Sequence, residues 1–179
     1  MLLALDVYYR KTYAVAVGVI FDWFDDKSQK IIIEYIDEVD EYIPGEFYKR
    51  ELPCIMRVIK QVNIGELEAI IVDGHIYVEK DTYGLGGKLY EQLNQQLPIV
   101  GVAKNSFLKN KDTVKEIYRG VSKKPLYVST VGIDSNTICE KIAKMKGNYR
   151  IPILLKELDS ITKQSIIENW IYRLWQQLS

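Results

Sequence analysis

Three short apolar runs constrain this chain most, because each stops at a charge that a buried strand would otherwise exclude. Leu2–Leu5 runs into Asp6, Ala69–Val72 into Asp73, and Ile99–Ala103 into Lys104. Continuous aliphatic runs of this length suit central strands covered on both faces. Asp6, inside Leu-Leu-Ala-Leu-Asp-Val-Tyr-Tyr, is costly there unless it is paired or binds a metal. Asp73 falls at the carboxyl end of its strand, where open α/β sheets usually build their sites.

The elements around these runs suggest one topology. Leu2–Tyr8, Tyr13–Ile20 and Ile31–Glu38 read as three strands, enriched in aliphatic, β-branched and aromatic residues and separated by polar turns. A helical stretch runs from the Tyr42–Gly45 turn to about Val62, with Ile55, Val58, Ile59 and Val62 on one face. Pro53 either sits in the first turn of a helix starting near Leu52 or kinks a longer one. Ala69–Val72 and Ile99–Ala103 are buried strands with a helix at Gly86–Gln95 between them. Strands near Val114–Tyr118 and Leu126–Val131 follow, then helices at Asn136–Met145 and from about Leu158 to Leu178. Three strands, then alternating helix and strand, is the wiring of a ribonuclease H-like α/β domain: a mixed sheet flanked by helices, here one domain over residues 1–179.

In that wiring the first and fourth strands lie side by side and the first helix packs near them. Asp6, Asp73 and Glu51, the last from Lys-Arg-Glu-Leu-Pro, then converge. Clustered carboxylates repel unless cations neutralise them, and hard oxygen donors with open positions favour Mg²⁺ or Mn²⁺ over zinc. Asp134, in Val-Gly-Ile-Asp-Ser, is a weaker metal-ligand candidate, since an Asp before a helix is usually an N-cap. Asp73-Gly74 could equally be a simple turn.

Longer strings add a resemblance. Tyr42-Ile43-Pro44-Gly45 with Arg50-Glu51, Val72-Asp73-Gly74-His75, and Val100-Gly101-Val102-Ala103-Lys104 resemble the motifs of the endonuclease V family, in family order and spacing. Val128-Ser129, Val131-Gly132 and Tyr149-Arg150-Ile151-Pro152 match more weakly, and the likeness extends from Asp6 to Asp159. It implies a metal-dependent endonuclease that cleaves a phosphodiester near hypoxanthine in DNA or RNA. Asp6, Glu51 and Asp73 would hold the ion, and Lys104 would stabilise charge at the scissile phosphate. Tyr42 and Pro44, with Ile43 between them, would belong to a wedge loop. Gly45 and Gly101 would line the pocket for an extruded base. His75, the only histidine, would be structural or substrate-facing.

The chain also departs from the pattern. Ile76 stands where the family has a small residue and Glu79 where it has histidine, changes expected to reshape the base pocket and weaken contact with an anionic backbone. Ile133 and Asp134 stand where the family often has a late histidine, and the family's helical N-terminal extension has no counterpart before the first strand. An alternative therefore stays open: a catalytically inactive or relaxed-specificity nucleic-acid-binding module built on this fold.

Composition excludes little. Lys+Arg and Asp+Glu both number 24, so net charge does not point to a polyanion, although a local basic surface would. Cys54 and Cys139 lack metal-ligand spacing and are expected as free thiols. No run approaches a membrane span, and a cytoplasmic location is expected. Trp170 and Trp175 fall with Ile166, Ile167, Ile171, Leu174 and Leu178 on one helical face, read as core or as a dimer seam rather than as base-stacking platforms.

Overall fold

Period-two alternation along the first strand decides how the molecule is layered. In β1 (Leu2–Tyr9), Leu2 and Ala4 enter one buried cluster while Leu3 and Leu5 enter the other, so both faces of the sheet must be covered. The computed structural model describes residues 1–37, 43 and 46–164.

β2 (Ala14–Phe21) and β3 (Lys30–Ile36) extend the meander antiparallel from β1. β4 (Ala69–Asp73) runs parallel to β1 on its other side, and β7 (Ile99–Ala103) runs parallel to β4. β5 (Tyr77–Glu79) and β6 (Thr82–Tyr83), between β4 and β7 in sequence, form a separate hairpin. β9 (Leu126–Val131) and β8 (Lys115–Ile117) complete the sheet, each antiparallel to its neighbour. The order β3-β2-β1-β4-β7-β9-β8 is the ribonuclease H-like wiring expected of the sequence.

Among the described residues four α-helices cover it: α1 (Phe47–Ile59), α2 (Leu85–Gln92), α3 (Ser135–Lys144) and α4 (Ile153–Gln164). α1 and α2 bury Ile55, Val58, Ile59 and Leu89 against Leu3 and Leu5, whereas α3 and α4 bury Ile138, Ile142, Leu154 and Leu158 against Leu2, Ala4 and Val17. α1 lies unusually close to the sheet. A Cβ added at Gly18 would stand 2.5 Å from Val58 Cγ1 and 3.0 Å from Leu3 Cδ1, so only glycine admits the helix at this depth.

Pro53 sits well inside α1, so the helix does not begin near Leu52 as one reading of the sequence had it. Burial of Cys54, Ile55, Val58 and Ile59 outweighs the hydrogen bond that the proline ring removes. The β5–β6 hairpin was not anticipated; it carries too few residues for a periodic signal. α4 begins at Ile153, five residues before the expected start at Leu158, and the segment with Trp170 and Trp175 lies outside the described residues. Both cysteines are free thiols. Among the described residues no helix is long and apolar enough to cross a membrane.

Candidate functional site

Register brings the first two acids together. Leu5 pairs with Val72 across β1 and β4, so one residue further along these parallel strands stand Asp6 and Asp73. β7 ends beside them with Lys104. Asp6, Asp73 and Lys104 line one small cleft of about 40 Å³, floored by Leu5, Val72 and Val102 and walled by Leu155 and Leu158 of α4. Glu51 arrives from α1, on the other side of the sheet, and is only 4 % exposed.

All three carboxylates pay for this placement in proton affinity. Burial raises Asp6 to about 6, with the charge of Asp73 adding to it and a hydrogen bond involving Thr162 working against it. Burial likewise raises Asp73, although Lys104 pulls it back. Glu51 is pushed well above the ordinary carboxylate range by burial, then by Asp6 and Asp73. Its Oε2 is buried without a hydrogen-bond partner. The other buried, unpartnered side-chain atoms include Tyr9 Oη and Arg50 Nε beside Glu51, and His75 Nδ1 beside Asp73. Orphaned polar atoms gathered in this way mark a functional edge rather than a stable core.

A residue that sequence reasoning left without a role joins this group. Asp159 of α4 sits 3.6 Å from Lys104 Nζ and 2.7 Å from Lys163 Nζ. Burial works to raise its pKa, but the two lysines outweigh it and hold the carboxyl below its ordinary value. Asp159 also acts on Asp6 and Asp73, raising both. The signal that could have found it is the helical spacing of Asp159, Thr162 and Lys163, a polar stripe on an otherwise core-facing helix.

Asp134 is not brought to the cluster. It is the N-cap of α3, exposed, with Oδ2 accepting from Thr137 N and Thr137 Oγ1, both at 2.8 Å. Those bonds hold its pKa below the ordinary value, so the capping role given as the alternative is the one observed.

The motif after β4 folds back on the protein itself. Gly74 N donates to Val102 O at 3.2 Å and Ile76 N to Ser129 Oγ at 3.0 Å. A Cβ on Gly101 would lie 2.6 Å from Gly74 O and 2.8 Å from Ser129 Oγ, so the close approach that requires glycine here is to the chain's own loop. Ile76 is fully buried in the core against Gly86. Glu79 is ion-paired to Lys109 at 3.1 Å. His75 donates from Nε2 to Asn105 O at 2.8 Å, and burial pushes its imidazole pKa below the usual value. Of the wedge motif, Ile43 is exposed, while Tyr42, Pro44 and Gly45 lie outside the described residues.

The donor chemistry suits a hard divalent cation: the carboxylates of Asp6, Glu51 and Asp73 in mutual repulsion, with Glu51 Oε2 buried and orphaned. Among the described residues, no three His, Cys, Asp or Glu side chains stand close enough together to hold a metal ion. Asp6, Glu51 and Asp73 are nevertheless near enough for charge on one to raise the pKa of another.

A mixed sheet of this wiring, with Asp6 inside its first strand, Asp73 at the end of its fourth and Glu51 on its first helix, is the arrangement expected of a ribonuclease H-like nuclease. Comparison narrows the class. The family model described as Endonuclease V matches residues 1–159. Endonuclease V of Pyrococcus abyssi is 32% identical over 170 residues, covering 93% of this chain and 80% of the relative. The catalytic domain of human Endonuclease V superposes with a TM-score of 0.77 at 18% identity, covering 94% of this chain and 83% of the other. Endonuclease V of Ciona intestinalis, solved with DNA containing an inosine followed by a ribo-adenosine, gives 0.77 at 16% identity, over 93% and 85%. This chain belongs to the endonuclease V family.

Proposed function

We propose that this endonuclease hydrolyses, with Mg²⁺ or Mn²⁺, a phosphodiester near a deaminated base, hypoxanthine, in DNA or RNA. The observation that carries the reading is the register of β1 and β4, which sets Asp6 beside Asp73, with the buried Glu51 carboxylate coupled to both. The inosine-containing DNA bound by the Ciona relative supports the choice of base.

Asp6, Glu51 and Asp73 would hold the cation, with Asp159 next to them. When bound, the cation supplies Lewis acidity for the attacking water and charge for the phosphodiester oxygens. Lys104 would meet negative charge developing on the phosphate, and its ion pair with Asp159 supports that role by holding the ammonium at the cleft. His75 would contribute position, tied through Nε2 to Asn105 O.

The alternative of a non-catalytic module has Ile76 and Glu79 among its grounds; Ile76 is core and Glu79 is ion-paired to Lys109, which favours the enzyme. The deciding assay compares wild type and Asp73→Asn on inosine-containing and plain oligonucleotides with Mg²⁺ or Mn²⁺. Cleavage of the inosine strand that the substitution abolishes is expected. Equal cleavage by both proteins would overturn the site.

A further inference from the structure

Beyond the carboxylates, the same edge of the sheet carries a second feature. β7 ends at Ala103 opposite Tyr127, and β8 ends at Ile117 opposite Leu126. The turn joining β8 to β9, residues 118–125, therefore rises from the edge where Asp6, Asp73 and Lys104 stand. Strands lie about 4.8 Å apart, which puts this turn roughly 14 Å from Asp73, the length of about four base steps in a duplex.

Two segments meet there. Residues 118–124 read Tyr-Arg-Gly-Val-Ser-Lys-Lys and residues 144–150 read Lys-Met-Lys-Gly-Asn-Tyr-Arg, with no Asp or Glu in either. The nearest acids in sequence are Glu116, which accepts from the Tyr118 hydroxyl, and Glu140, one turn back on α3. Lys123, Lys124, Lys144 and Lys146 are all exposed, and none has an ion-pair partner among the described residues. In a chain with zero net charge, an acid-free basic surface is a segregation that composition does not require.

The surface is also built rather than merely exposed. Arg119 is 3 % exposed and meets no carboxylate. Its Nη1 donates to Tyr149 O at 3.0 Å and Arg150 O at 3.3 Å, while Nη2 donates to Met145 O and to Gly147 O at 3.4 Å. A buried guanidinium shared among four carbonyls of residues 145–150 holds the two segments in one geometry. Gly120, at φ +52, brings its backbone against Asn148 O, 1.9 Å from where a Cβ would stand. Arg150 then reaches across to Pro125 O and to the carbonyl of Lys104 itself, tying the platform to the cleft. Tyr149 projects from it, 72 % exposed, with Val121 at 84 % nearby.

We propose that residues 118–124 and 144–150 form a rigid platform that grips the nucleic-acid strand flanking the cleavage point, the four lysines taking its phosphates and Tyr149 stacking on a base. The inference rests on the nuclease reading for its orientation, but its test does not. Binding of a fluorescent inosine-containing oligonucleotide is measured in EDTA across a salt series. Three double variants are compared: Lys123→Ala with Lys124→Ala, Lys144→Ala with Lys146→Ala, and Lys27→Ala with Lys30→Ala on the opposite edge of the sheet.

Each platform pair should weaken binding about tenfold or more at low salt and flatten the salt slope by about 1.4 to 1.8, the share of two phosphate contacts. The opposite pair should do neither. Tyr149→Ala should cost about fivefold and Tyr149→Phe should restore it, because stacking needs the ring and not the hydroxyl. An unchanged salt slope in both platform pairs, an equal loss from the opposite pair, or no measurable binding by wild type overturns the platform. Absence of cleavage by wild type under either metal overturns the nuclease reading instead and leaves the binding result standing.

Discussion

The two ends of β4 hold acids of the same chemistry in opposite conditions. Glu68, just before the strand, accepts from Trp23 Nε1 at 2.9 Å and Lys141 Nζ at 2.5 Å. Burial alone would raise it, yet those bonds win and its pKa is lowered. At the other end, lost solvation raises the pKa of Asp73, and Lys104 offsets only part of that rise. Five residues apart, one carboxylate is satisfied by the protein and the other is kept in deficit. That difference separates an acid used to staple a fold from one reserved for a ligand.

The comparison breaks most visibly in catalysis. Asp73→Asn should reduce single-turnover cleavage on the order of 10³-fold, while Glu68→Gln should leave it within about threefold and lower the melting temperature instead. In chelator, Asp73→Asn should melt no lower than wild type, since it removes a charge that burial disfavours. A matched loss of activity in both variants would erase the distinction.

A smaller effect concerns ligand-linked stability. A cation that binds only the folded chain at a hundred times its dissociation constant adds about 2.7 kcal/mol, or roughly 5–10 °C for a protein of this size. Mn²⁺ should raise the melting temperature of wild type by that order and leave Glu51→Gln unmoved, because the substitution removes the orphaned oxygen. An equal rise in both would place the ion elsewhere.

The pH dependence sharpens the same contrast. Asp6 is raised from 3.8 to about 6 in the folded state, so folding favours its protonated form. The resulting stability is complete below the unfolded value and is lost as pH rises through about 6, with an upper bound of about 3 kcal/mol. In chelator, wild type should therefore melt a few degrees higher at pH 5.5 than at pH 7.5, and Asp6→Asn should lose most of that difference. Glu68 has the opposite sign: its contribution disappears only when pH falls through its lowered pKa.

How much of this could be read from the sequence follows from the range of each interaction. Leu2–Leu5, Ala69–Val72 and Ile99–Ala103 announced their strands because burial on both faces writes a local apolar run, and the motif order gave Asp6, Glu51, Asp73 and Lys104. Ile76 reads in the sequence only as a departure beside a functional motif, whereas the fold turns its side chain into the core against Gly86. Asp159 and Arg119 were missed for a different reason. Their roles depend on partners far along the chain, Lys104 for one and the carbonyls of residues 145–150 for the other, and no local pattern records such pairing.

The smallest expected effect tests the satisfied kind of acid at its simplest. Asp134 caps α3 through Thr137 N and Thr137 Oγ1 and lies outside the carboxylate group. Asp134→Ala removes an N-cap, which should lower the melting temperature by about 2–4 °C while metal-dependent cleavage is unchanged. Because capping lowers the pKa of Asp134, its contribution is present above the ordinary carboxylate value and fades as pH falls through the depressed one. The gap between wild type and variant should accordingly narrow in acid, the reverse of the Asp6 pair. A loss of cleavage in Asp134→Ala would return this residue to the metal site and collapse the division between stapling and ligand-holding carboxylates.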